Sequence, residues 1–257
     1  MKITVCELRD DPNGLAEDWN ALIEHVREET SDLVLLPEMP FSTWLARSDK
    51  ASHAAWMKAV ELHQQWIERL TELASYVVCG SRPIVVNGKR HNEAFTWEPE
   101  SGYRGVHTKY YLPNEPGFWE AVWYDRGEPV FNATQTRIAK VGFLVCSEVW
   151  FTEHARFYAR QGAQLLLVPR STERATTDKW IAGGRAAAVM SGAFCLSSNR
   201  SGQDAHGMAW GGSGWIIEPD QGKVLGLTSE KQPFLTLEIN LQDADRAKLT
   251  YPRYISE

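Results

Sequence analysis

Three reactive side chains stand at the ends of apolar runs or at the head of a loop. Glu38 follows Leu33-Val34-Leu35-Leu36-Pro37, Cys146 follows Val141-Gly142-Phe143-Leu144-Val145, and Lys109 sits at the start of a Pro- and Gly-rich loop. Together these types suit nucleophilic catalysis. A thiol attacks as its thiolate, and a neighbouring carboxylate removes the proton as attack occurs. An ammonium within hydrogen-bond reach stabilises the oxyanion of a tetrahedral intermediate, and the same carboxylate then activates the water that releases the acyl group. Acyl transfer therefore needs neither a metal nor a histidine here. Each residue also has an ordinary structural reading. A cysteine after an apolar strand is commonly a small buried hydrophobe, a strand-end glutamate caps or solvates, and a lone lysine is solvated.

The elements that must hold these residues alternate between strand and helix patterns. Residues 2–8 and the short apolar run 33–36 read as strands, the latter ending at Pro37. Leu15, Trp19, Leu22, Ile23 and Val26 recur at helical spacing. A second helix is expected over 60–74, before a strand at 76–80. Asn87-Gly88 signals a hairpin, and Leu112 to Gly127 reads as loop. After Cys146 come a helix over 153–161, a strand at 165–168, a helix over 179–191 and a strand at 193–198. A late hairpin is expected from 213–218 and 223–227 around Asp220-Gln221-Gly222. With no linker, repeat or low-complexity tract, residues 1–257 read as one α/β domain with mixed sheets. In such sheets ligand sites recur at the carboxyl ends of strands, where residues distant in sequence converge.

The composition fits a globular protein of 257 residues, 43% hydrophobic and 23% charged. A net charge of -6 argues against nucleic acid as a partner. No run of about 18 apolar residues is present to span a bilayer, and Met1-Lys2-Ile3-Thr4-Val5-Cys6 lacks a signal-peptide layout. The expectation is a cytoplasmic protein without membrane association. Cys6, Cys79, Cys146 and Cys195 are widely separated, which suggests reduced thiols. The seven histidines lack metal-ligand spacing, so neither metal nor cofactor is expected. Gly211-Gly212-Ser213-Gly214 lacks the Gly-Lys-Ser/Thr ending of a phosphate loop and reads as hairpin.

Beyond spacing, the flanking residues resemble a known family. Leu36-Pro37-Glu38, His107-Thr108-Lys109-Tyr110-Tyr111-Leu112-Pro113 and Cys146-Ser147-Glu148-Val149-Trp150-Phe151-Thr152-Glu153 resemble the three catalytic motifs of nitrilase-superfamily carbon–nitrogen hydrolases. The segments Gln161 to Pro169, Arg185-Ala186-Ala187-Ala188, Ser198-Asn199-Arg200-Ser201-Gly202, Gly212-Ser213-Gly214-Trp215 and Pro219 to Leu225 continue the match in order. The resemblance implies a four-layer α-β-β-α sandwich with two mixed β-sheets, assembled as a homodimer or larger homo-oligomer. It implies Cys146 as nucleophile, Glu38 as base, Lys109 as oxyanion stabiliser and the Ser147 backbone N–H as second oxyanion donor. A second active-site glutamate is implied after the lysine motif, best matched by Glu120, with Glu115 as the other choice. Glu148 stands where many amidases have Asp, and Thr152 where Pro is frequent.

The implied reaction is cleavage of a non-peptide C–N bond, in an amide or N-carbamoyl amide of a small substrate, through a Cys146 thioester with release of ammonia. N-carbamoylputrescine amidohydrolases are the nearest resemblance. A true nitrilase remains an alternative, as does an inactive binding or scaffold protein of the same fold. Trp44, Trp119, Trp123 and Trp150 are candidates to line a pocket, Trp119 and Trp150 above all. Arg170, after Pro169, is open to two roles, contact with an anionic substrate or a structural ion pair.

Overall fold

The apolar runs form strands that divide their side chains between different cores, which is what stacks this protein into layers. The computed structural model describes residues 1–255. In its first half β1 (Lys2–Arg9), β2 (Leu33–Leu35) and β3 (Val77–Val86) are parallel, connected through α1 (Pro12–Glu29) and α2 (His53–Glu68). β4 (Lys89–Glu98) and β5 (Gly102–Thr108) continue the sheet by two antiparallel steps. The short α3 (Glu120–Trp123) interrupts the loop that follows. In the second half β6 (Thr134–Gln135) pairs antiparallel with β7 (Lys140–Phe143), and β7 is parallel to β8 (Leu165–Pro169) and β9 (Phe194–Ser201). Between these parallel strands run α4 (Thr152–Arg160) and α5 (Thr177–Ser191). β10 (Trp215–Ile217) lies antiparallel to β9 and to β11 (Val224–Leu227). β12 (Phe234–Glu238) returns antiparallel to β1, before α6 (Leu241–Ala247).

Strand alternation assigns the layers. Ile3, Val5, Leu33, Leu35, Val77 and Cys79 meet Val141, Phe143, Leu165, Leu167 and Leu196 in a core between the two half-sheets. The alternate residues Cys6, Leu8, Val34, Leu36 and Val78 pack outward against Leu15, Trp19, Leu22 and Val26 of α1. On the other side Leu144, Leu166, Val168 and Cys195 pack against Ala155 and Tyr158 of α4 and Ala187 and Ala188 of α5. Because side chains alternate with period two, this gives the expected four layers. The two sheets are not separate, however. Glu7, Leu8 and Arg9 at the end of β1 pair in parallel with Asn199, Arg200 and Ser201 of β9, so one mixed sheet of 12 strands folds over on itself. Across the opposite edges Arg104 Nη2 donates to the Gln135 carbonyl at 2.7 Å, leaving a nearly closed barrel.

Local chemistry explains most boundaries. Asp11 caps α1 through Gly14 N at 2.7 Å, with Pro12 at its first position. Asn87 and Gly88 both take positive φ, 51° and 77°, and form the two-residue turn that pairs Val86 with Lys89. The helix expected over 60–74 begins earlier, at His53, because Ser52 caps it through Ala55 N, and it ends at Glu68 before a 3-10 turn Leu70–Leu73. β5, β12 and α6 were not legible as periodic patterns. No helix among the described residues is long and apolar enough to cross a membrane.

The directions matter most for function. Two antiparallel steps make β5 parallel to β3, so β1, β2, β3, β5, β7, β8 and β9 all end at the same end of the sheet. Glu38 follows β2, Lys109 follows β5, and Cys146 follows β7. Topology brings them to one place.

Candidate active site

Each of the three side chains sits just past the last ladder bond of its strand. Leu36 N donates to the Cys79 carbonyl at 2.8 Å, and Glu38 N then reaches across to the Arg170 carbonyl at 3.2 Å. Lys109 N closes the β4–β5 ladder on the Asn92 carbonyl at 2.9 Å. Leu144 N bonds Leu167 O at 3.0 Å, after which Cys146 turns at φ 50° into the 3-10 turn Cys146–Trp150. Positive φ is uncommon for a residue with a Cβ and is retained only where the surroundings enforce it.

The buried side chains form one ionic cluster. Lys109 Nζ lies 2.8 Å from Glu38 Oε1 and 2.6 Å from Glu120 Oε2, with all three side chains at most 1% exposed. Asn92 Nδ2 donates to the same Glu38 Oε1 at 2.8 Å, and Tyr124 Oη donates to Glu120 Oε2. Burial alone would depress the Lys109 ammonium, but the Glu120 and Glu38 carboxylates outweigh it and hold it above the usual lysine range. Burial pushes the Glu120 carboxyl up, with Lys109 opposing and Glu38 adding to the rise. The Cys146 thiol is pushed well up by burial and then by Glu38, against the pull of Lys109, so the neutral thiol is favoured next to the carboxylates.

Glu148 ties the lysine and cysteine segments together. Its Oε2 accepts from Val145 N at 2.8 Å and lies 2.8 Å from His107 Nε2, while Oε1 accepts from Tyr110 N at 2.8 Å. One carboxylate thus holds the residue after Lys109 and the residue before Cys146. Burial alone would lower His107, but Glu148 outweighs it and raises the imidazolium. A raised histidine stabilises fully below its unfolded value, and that contribution is lost as pH rises through the folded one. Stability is therefore expected to fall as pH rises above about 6.5, and His107→Gln to weaken that slope in denaturant titrations. Glu148→Asp shortens the arm that spans both backbone donors. We expect kcat to fall between about 10-fold and about 100-fold through misplacement, read by steady-state kinetics.

A cavity of about 270 Å³ opens onto the cluster, lined by Cys146, Ser147, Glu120, Phe118, Trp150 and Trp180. Glu115, Glu173 and Lys179 border it as well. Ser147 is the second residue of the 3-10 turn, where the opening N–H groups of a helical turn have no partner within it. Of the two glutamates considered after the lysine motif, Glu120 touches Lys109 while Glu115 is exposed beside the cavity. Trp150 lines the cavity. Trp119 is half-buried against the cluster around Trp44, Trp56 and Trp123, and Phe118 beside it supplies the lining.

Arg170 stands apart from the cavity wall. Its guanidinium donates to Ser197 Oγ at 2.7 Å, Thr172 Oγ1 at 2.9 Å and Ser213 O at 2.8 Å, and lies 4.0 Å over the Trp215 ring. Its partners are hydroxyls, carbonyls and a ring, because the adjoining loop turns its carbonyls inward there. Asn92 and Tyr124 escaped sequence reasoning, and His107 was quoted only as part of the lysine motif, without its partner. No local spacing marks them, since each is defined by a partner elsewhere in the chain. A larger depression, about 670 Å³ near Phe194, Asp243 and Arg246, holds none of the reactive cluster.

Comparison with known proteins places this arrangement in a family. The carbon-nitrogen hydrolase family model matches residues 2–249. An N-carbamoylputrescine amidase of Solanum tuberosum is 32% identical over 174 residues, 65% of this chain and 58% of that protein. An omega-amidase of Mus musculus is 27% identical over 229 residues, 86% of this chain and 81% of that one. The matches to the plant N-carbamoylputrescine amidases of tomato, potato and Arabidopsis thaliana reach only 58%, 58% and 50% of their lengths. In three dimensions the fold is shared with a carbon-nitrogen hydrolase from Helicobacter pylori G27, at TM-score 0.87 and 22% identity, covering 99% of this chain and 94% of that one. It is shared also with a variant of the Nesterenkonia AN1 amidase from the nitrilase superfamily, at TM-score 0.76 and 19% identity, covering 96% and 94%. With the family model matched along almost the whole chain, this chain belongs to the carbon-nitrogen hydrolase family.

Proposed function

We propose that this chain hydrolyses the C–N bond of a small amide or N-carbamoyl amine through a thioester on Cys146. The observation that carries the proposal is the division of labour in Glu38. Its Oε1 is taken by Lys109 and Asn92, while Oε2 is buried without a hydrogen-bond partner among the described residues. A buried carboxylate oxygen left unpaired is costly unless it has a proton to accept.

Glu38 Oε2 takes the Cys146 proton as sulfur attacks the carbonyl carbon. The oxyanion is received by Lys109 Nζ and the Ser147 N–H. An ammonium has three donors, and two are committed to Glu38 and Glu120, which leaves one for the intermediate. Collapse breaks the C–N bond, and the proton held by Glu38 leaves with the nitrogen, as ammonia from a primary amide. Water, deprotonated by Glu38, then cleaves the thioester and restores the thiol. Glu120 holds Lys109 in place from the other side. A carbamoyl substrate gives the amine, carbon dioxide and ammonia.

The cavity volume lies just below the usual range of ligand sites, which favours a small substrate. Its aromatic walls and the bordering Glu115, Glu173 and Lys179 favour one with a polar far end. The relatives named as amidases, and one named citrullinase, favour amides and carbamoyl compounds over nitriles. The four free thiols support a reducing, cytoplasmic setting. Exposed Phe157, Tyr251 and Tyr254 offer apolar surface to a second copy. The test is a screen for ammonia release across aliphatic amides, carbamoyl amines, carbamoyl amino acids and nitriles. Turnover of amides or carbamoyl compounds is expected. Turnover of nitriles alone would assign a nitrilase reaction through a thioimidate, and no turnover in any class would favour a binding protein.

A further inference from the structure

The loop that carries Glu38 has no regular structure of its own, and side chains from other elements hold its backbone. Met39 sits at φ 42°, in the left-handed region that residues with a Cβ avoid. Met39 N donates to Ser81 Oγ at 3.2 Å, Phe41 N to His63 Nε2 at 3.2 Å, and Trp44 N to Asp10 Oδ1 at 2.9 Å. The carbonyls have a single main partner. Arg200 Nη2 donates to Glu38 O at 3.3 Å and to Met39 O, while Nη1 donates to Ser42 O at 2.9 Å and to Asp10 Oδ1. Its Nε donates at 2.9 Å to Ser171 Oγ, which itself donates to Glu38 O at 3.1 Å.

We propose that Arg200, fixed by Asp10, is the positioning residue that aims the Glu38 carboxylate, by gripping the backbone carbonyls of Glu38, Met39 and Ser42 at the seam between the two sheets. This rests on the reading of Glu38 as the base. The placement follows from the fold. Arg200 is opposite Leu8 in the β1–β9 pairing, and Asp10 directly follows β1, so both stand at the strand ends where the sheets join. The guanidinium is 1% exposed, with the Trp44 and Trp210 rings at 5.6 and 5.9 Å. Burial lowers Arg200 and raises Asp10, and each opposes the other's shift, as for an ion pair kept charged inside the protein.

Only a planar fork serves carbonyls on several sides together with a carboxylate, and a lysine ammonium in its place lacks that geometry. Without the fork Met39 O keeps only the His63 imidazole beside it, Ser42 O loses its guanidinium donor, and the left-handed turn is free to relax. Glu38 Oε2 then loses its fixed relation to Cys146 while the cavity wall, built from other segments, is retained. The effect should therefore fall on kcat rather than on KM.

The test compares Arg200→Lys, Asp10→Asn, Glu38→Gln and the Glu38→Gln/Arg200→Lys double variant. Rates are expressed per site, with folded Cys146 counted by iodoacetamide labelling and mass spectrometry. Arg200→Lys is expected to lower kcat about 100-fold with KM little changed, and to shift the acid limb of the kcat/KM profile. In the double variant it should add nothing to the loss caused by Glu38→Gln, since a base already removed has no aim to lose. Asp10→Asn keeps the acceptor for Trp44 N and should show a smaller loss in the same direction. It carries the test if Arg200→Lys does not fold. Wild-type kcat per labelled site with only a lower Tm, or a further full loss in the double variant, would leave Arg200 a purely structural residue. Full turnover by Glu38→Gln would instead overturn the base assignment itself, a separate result.

Discussion

Cys146→Ala is expected to lower turnover by at least about 10⁴-fold while leaving the fold intact. The side chain is small, lies against the cavity, and makes no bond on which the sheets depend. Its loss removes the proposed attacking atom and almost no packing. The ionic cluster of Glu38, Lys109 and Glu120 is left complete, so Tm should move little. Brief exposure of the wild-type protein to a turned-over substrate should give an acyl adduct on Cys146 by mass spectrometry, and the variant none. Iodoacetamide should label Cys146 ahead of Cys6, Cys79 and Cys195. All four are buried, but only Cys146 lines the cavity, while Cys6, Cys79 and Cys195 are 0% exposed within the apolar cores. Full turnover by the alanine variant would remove the thioester route.

Lys109→Ala should damage both activity and stability, which separates it from the cysteine variant. The ammonium is the cation between two buried carboxylates, and its removal leaves Glu38 and Glu120 facing each other. Removing one partner from a buried ion pair typically costs about 3–5 kcal/mol, and loss of an oxyanion donor costs about 10²–10³ in kcat. The pH dependence gives the cause away. Glu120 is already pushed up by burial and by Glu38, and Lys109 is the charge opposing that rise. Without it the native state binds a proton more tightly than the unfolded chain, so stability falls as pH rises. The variant should therefore recover stability in mildly acidic buffer and lose it toward pH 8, measured by urea unfolding. A loss that does not change with pH would contradict the cluster geometry.

Glu120 illustrates how far a motif carries. The sequence offered Glu115 and Glu120 after the lysine motif, five residues apart in a stretch without periodicity. Only the turn into α3, which brings Glu120 to Lys109 and Tyr124, separates them. Glu148 was legible as a departure from Asp, yet its three bonds to His107, Tyr110 and Val145 were not. Those to His107 and Tyr110 join the end of β5 to the cysteine turn across 41 and 38 residues of chain, while that to Val145 stays within the turn. Arg170 and Trp119 look alike as polar and aromatic candidates near strand and loop ends, and packing alone took them off the cavity wall.

The sequence by itself determined the order of reactive residues, the strands that deliver Glu38 and Cys146, and the alternation that sorts apolar side chains into layers; the strand that delivers Lys109 carried no periodic pattern. These depend on local periodicity and on residue type, which any short window displays. Tertiary structure decided that the two sheets are one, joined where β1 meets β9, and which groups surround each reactive atom. Asn92 reaches Glu38 across 54 residues and Arg200 reaches it across 162. Such contacts leave no local trace, because a buried polar side chain is placed by the partner that compensates its desolvation, and that partner is set by how the sheets close rather than by its neighbours in the chain.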